Sequence, residues 1–93
     1  MKLTMLASAV AADDNYDGTL PPEYNGQNEA IVQIEITNTA TVIIQGRVSS
    51  AFSWVELISV KSVNTLQPIT YMPEIRAVVD WTSGTVSVGV LTG

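Results

Sequence analysis

The chain contains no cysteine and no histidine. A disulfide framework is thereby excluded, along with thiolate and imidazole metal sites. The commonest general base and the thiol nucleophile of enzymes are missing for the same reason. Charge is scarce as well. Lysine and arginine number 4 and aspartate and glutamate 9, together 14% of the residues, where about a quarter is usual. Four cations with no basic stripe do not support phosphate-backbone binding, so no nucleic-acid partner is expected. No apolar run approaches the roughly 18–20 residues that span a bilayer as a helix, and no membrane partner is expected. No cofactor motif is present.

What remains is a chain of 93 residues, 46% of them hydrophobic. That length suits one domain, whose core stabilises it by a thin margin. Domains of this size usually gain support from disulfides, a metal or association. With the first two excluded, association with copies of itself or with a larger partner is the expectation. The low charge points the same way, because it leaves apolar surface facing water. The net charge is −5, and six of the nine acids (Asp13, Asp14, Asp17, Glu23, Glu29 and Glu35) precede Gly46. The opening Met1–Ala11 has the lysine, short apolar stretch and small-residue Ala9-Val10-Ala11 pattern of a signal peptide. It is shorter than such peptides usually are, and is read as mature sequence.

Two regions differ in pattern. Residues 1–28 are dense in turn signals, Asp13 to Gly18 and Asn25-Gly26, and Pro21-Pro22 enforces an extended path. Lys2 to Ser8 suits a first strand or a short helix, and strand is preferred. From residue 29 onward, period-2 alternation dominates. Ala30, Val32, Ile34 and Ile36 share one face, with Ile31 an exception on the polar face. After Asn38-Thr39, the residues Val42, Ile44, Gly46 and Val48 alternate inward. Trp54 to Val60 reads as a strand. Leu66 to Met72 is interrupted by Pro68, which suits an edge. Ile75, Ala77, Val79 and Trp81 share a face, and after Ser83-Gly84 so do Val86, Val88 and Val90. The expectation is an all-β fold: a small antiparallel β-sandwich or jelly-roll-like barrel over residues 29–93, with an extended N-terminal arm over 1–28.

The chemistry on offer is limited. Asp13 to Gly18 alternates Asp and Asn oxygens ahead of a glycine, as calcium loops do, but lacks the bidentate glutamate at the twelfth loop position; a solvated turn is expected. Glu35 and Glu56 lie on polar sides of strands and are the one pair to weigh as a glycosidase couple. No catalytic residue is assigned. Trp81 is in phase with the core, whereas Trp54 follows a Ser-rich loop, out of phase with Val55 and Leu57 if those point inward, and is the better surface candidate. Tyr16, Tyr24 and Tyr71 lie near turns or prolines, where half-buried anchoring is usual. Arg47 and Arg76 face outward, either pairing with Glu35, Glu56 or Glu74 or forming bridges to a partner. The candidate interface comprises Leu3, Met5, Tyr16, Leu20, Pro21, Pro22 and Tyr24 of the arm, with Arg47, Trp54 and Arg76 of the domain. The arm is expected to serve partner binding more than the fold, by adding a strand to a partner's sheet edge.

The strand sequences resemble those of a known group. Thr41 to Arg47, Trp54 to Leu57, Pro73 to Val78 and Gly84 to Val88 together resemble small β-sandwich virion proteins of tailed bacteriophages, particularly capsid decoration (cement) proteins. The resemblance covers about residues 30–91 and leaves the arm without a matching motif. It implies a non-enzymatic protein on the outer capsid surface, often trimeric, clasping neighbouring major capsid protein subunits. The alternatives are a carbohydrate- or receptor-binding module of a tail fibre, with Trp54 in a shallow groove, and a tail or head–tail component.

Overall fold

The computed structural model describes residues 2–21 and 29–92. Eight strands fill most of that span: β1 (Lys2–Val10), β2 (Asp14–Thr19), β3 (Glu29–Ile36), β4 (Thr39–Arg47), β5 (Val55–Lys61), β6 (Thr65–Thr70), β7 (Glu74–Ser83) and β8 (Val86–Thr92). They form two antiparallel four-stranded sheets, ordered β1-β8-β3-β6 and β2-β7-β4-β5. First pairs with last, second with seventh, third with sixth and fourth with fifth. This is one long hairpin wrapped around a core, the connectivity of a jelly roll. The expected β-sandwich is present.

Alternation builds the core. In β3 every second residue is buried, and β4, β7 and β8 contribute Val42, Ile44, Ile75, Val79, Val86, Val88 and Val90 from the facing sides. β-Branched residues dominate, as suits a pleated layer packed on one face. Pro68 lies in β6 at the edge of its sheet, where the missing N–H costs no ladder bond. Asn64 ends the preceding turn by accepting a hydrogen bond from Ile36 N at 2.8 Å. Gly84 turns the chain between β7 and β8 at φ 82°, a conformation that a side chain rarely adopts.

Three expectations are corrected. Residues 1–28 are not an arm as far as they are described, since β1 and β2 each complete a sheet. β1 pairs with β8 from Lys2↔Thr92 to Val10↔Val86, and β2 pairs with β7 from Asp14↔Val79 to Thr19↔Glu74. Leu6 lies against Gly18 across the sandwich edge, so the two strands also close it. Secondly, Val48 is 62% exposed rather than inward, because β4 ends at Arg47 and the chain turns away. Thirdly, Val55 is exposed. A register shift opposite Ile44/Gln45 leaves Leu57 as an extra residue in β5 and resets the facing of that strand.

Candidate interaction surface

The jelly roll leaves two outer faces, and the outward residues of each follow from strand register. On the β1-β8-β3-β6 sheet, Leu3 lies beside Leu91, which lies beside Ile31, and Met5 lies beside Gly89. Leu66 opposes Gln33 on β6. Four of these large apolar side chains are strongly exposed: Leu3, Met5, Ile31 and Leu66, at 42–68%. Water-facing positions on a sheet are normally polar, so a contiguous apolar set is informative. They line a trough of about 310 Å³ with Gln33, Glu35, Ser87, Gly89 and Leu91.

Gly89 shapes this trough. A Cβ placed there would lie 3.1 Å from Met5 Sδ and 3.2 Å from Leu3 Cδ1. The bare backbone therefore lets both β1 side chains fold over the β8 strand. Charge on this face is confined to the two ends of β3, at exposed Glu29 and Glu35. Lys2, the one cation in this sheet among the described residues, is exposed at the start of β1 on the alternation side opposite to Leu3.

The opposite face, on β2-β7-β4-β5, is polar with an aromatic centre. Arg47 faces Glu74 and Gln45 faces Arg76 across the β4–β7 ladder. Arg47 Nε donates to Glu74 Oε1 at 2.7 Å, and Arg76 Nε donates to Gln45 Oε1 at 2.7 Å. Both guanidinium groups lie over the Trp54 ring, 4.1 and 4.5 Å from its centroid. Asp17 lies opposite Arg76 on β2. A shallow depression of about 200 Å³ adjoins this cluster, lined by Asp17, Gly18, Thr19, Arg47, Trp54 and Glu74. The β4–β5 turn beside it exposes Val48 and Phe52, next to exposed Val55 at the start of β5.

The candidate interface residues thus fall into separate places. Leu3 and Met5 join the trough, while Arg47, Trp54 and Arg76 come together on the other face. Tyr16 is half-buried against the core, its hydroxyl donating to Ala12 O at 3.3 Å. Leu20 is corrected outright: it is 3% exposed, a core residue whose N–H donates to Pro73 O. Pro21 serves as an acceptor for the Tyr71 hydroxyl at 2.7 Å. Pro22 and Tyr24 lie outside the described residues.

Sequence reasoning missed Leu66, Leu91 and Gly89. Ile31, breaking the alternation of β3, was the visible signal, and only the register of four strands shows that its neighbours are apolar too. Glu35 and Glu56 lie on opposite outer faces and do not form a couple. The Asp13 carboxylate caps Trp81 N, and Asp14 Oδ1 accepts from Asn15 N. Among the described residues no group of three or more acids is gathered closely enough to share a metal ion. No protein family, curated protein or solved structure matches the chain.

Proposed function

We propose that the chain is a non-enzymatic structural virion protein of the capsid decoration type. In this reading it sits on the outer surface of a tailed-phage head and bridges major capsid protein subunits. The observation that carries the proposal is the apolar outer face of the β1-β8-β3-β6 sheet. A domain that exposes Leu3, Met5, Ile31 and Leu66 together gains most when another surface covers them. The jelly-roll connectivity agrees by analogy, since viral capsid domains use it; lectin domains use it as well.

Self-association belongs to the same proposal, with a trimer favoured by the resemblance. The exposed Val48 and Phe52 of the β4–β5 turn, with Val55 at the start of β5, offer a second apolar contact, separate from the trough. Copies could then join through one surface while another holds the shell. The carbohydrate-binding alternative draws less support from the geometry. A sugar stacks on an open aromatic face, and the Trp54 ring is instead half-buried and covered by Arg47 and Arg76.

Copy number per particle tests the proposal. Quantitative mass spectrometry of purified virions should find the chain in amounts comparable with the major capsid protein, in hundreds of copies. Tens of copies or fewer would move it to the tail or a fibre, and absence from particles would end the reading.

A further inference from the structure

We infer that the trough on the β1-β8-β3-β6 sheet receives a protein segment carrying apolar side chains between two basic ones. This deepens the assembly reading and rests on it for treating the face as a contact surface. The face has a defined chemical pattern. Its centre is uncharged, with Leu3, Met5, Ile31, Leu66 and Leu91 around the bare backbone of Gly89. Its only charges among the described residues are Glu29 and Glu35, both exposed, at the two ends of β3.

The two glutamates are six positions apart in sequence, and an extended strand rises about 3.3 Å per residue, placing them about 20 Å apart. A complementary occupant presents lysine or arginine at that separation, with apolar side chains between. Covering an apolar strip whose rim is only acidic favours cations at the rim of the partner.

The same pattern argues against the other occupants. A second copy packed face to face with aligned strands sets the glutamate-bearing ends of β3 against each other, and the chain itself carries −5. An anionic lipid surface is repelled by Glu29 and Glu35 and attracts no cation on this face. An enclosed small molecule suits a walled pocket of 300–1,000 Å³, and this trough stands open on a sheet surface.

The test needs no virion, so its failure is distinguishable from failure of the decoration reading. The probe is a synthetic seven-residue peptide with lysine at each end and alternating leucine and threonine between, spanning about 20 Å when extended. Its twin carries glutamate at both ends. Each is titrated at low salt into isotope-labelled protein, followed by nuclear magnetic resonance. The lysine peptide should shift Leu3, Met5, Ile31, Leu66 and Gly89 and bind about ten-fold more tightly than its twin. In the doubly substituted Glu29→Lys/Glu35→Lys protein the ranking should reverse. Equal binding of the two peptides, or shifts confined to other residues, would overturn the inference. Concentration-dependent broadening of the trough signals without peptide would also overturn it, in favour of a second copy.

Discussion

Arg47 and Glu74 face each other across the β4–β7 ladder and are joined by a 2.7 Å hydrogen-bonded ion pair, their side chains 22% and 32% exposed. The same guanidinium lies over Trp54, so one side chain ties β4 to β7 and to the segment leading into β5. A double-mutant cycle of Arg47→Ala with Glu74→Ala should return a coupling of about 0.5–1 kcal/mol, as part-exposed pairs do. Arg47→Ala alone should cost about 1–2 kcal/mol, because it also removes the contact with Trp54. Denaturant unfolding measures both; a coupling near zero would show the pair to be a surface accident.

Core and surface positions on β4 should respond differently. Ile44 is fully buried, and Ile44→Ala should cost about 2–5 kcal/mol through lost burial and a residual cavity. Val48→Ala, at a position past the end of the strand, should shift stability by less than about 0.5 kcal/mol. Similar unfolding midpoints for the two variants would contradict the facing of this strand.

The alternation that revealed β3, β4, β7 and β8 is strong because one face of each is core and the other is water. β2 carried no such pattern. Asp14 to Thr19 reads as a turn, and only its pairing with β7 holds it extended, with Tyr16 and Gly18 on the inner side. Propensity there is overridden by tertiary pairing. The reset in β5 was equally hidden, since a bulge is set by the partner strand. Among site residues, the place of Trp54 outside the core was legible from its position after a loop, but its half-burial under two guanidinium groups was not. Its two arginine neighbours and the apolar sheet face depend on register between strands distant in sequence.

Truncation separates an arm from a structural strand. Deleting residues 1–20 strips β1 from β8 and β2 from β7 and removes Ala7 and Leu20 from the core. The shortened chain should lack the cooperative unfolding transition of the full chain, as followed by circular dichroism. A truncation that unfolds with the full-length midpoint would restore the description of this segment as an arm.

Self-association should be visible in solution. Light scattering at tens of micromolar should report a multiple of the 10.0 kDa chain mass, and Phe52→Asp should return it to the single-chain mass. A single-chain mass for the unaltered protein would leave association, if any, to the particle surface alone. Persistence of the oligomer in the Phe52→Asp protein would remove the β4–β5 turn from the contact.

On the proposed function, the apolar face of the β1-β8-β3-β6 sheet is the surface that holds the protein to a capsid. The most direct measurement of that hold is co-sedimentation of Leu66→Asp protein with particles stripped of this chain. Leu66 is 68% exposed, so the substitution should leave the free energy of unfolding within about 0.5 kcal/mol of the original. The account predicts a folded variant that stays in the supernatant while the unaltered protein pellets with the particles. A folded variant that pellets to the same occupancy would contradict it.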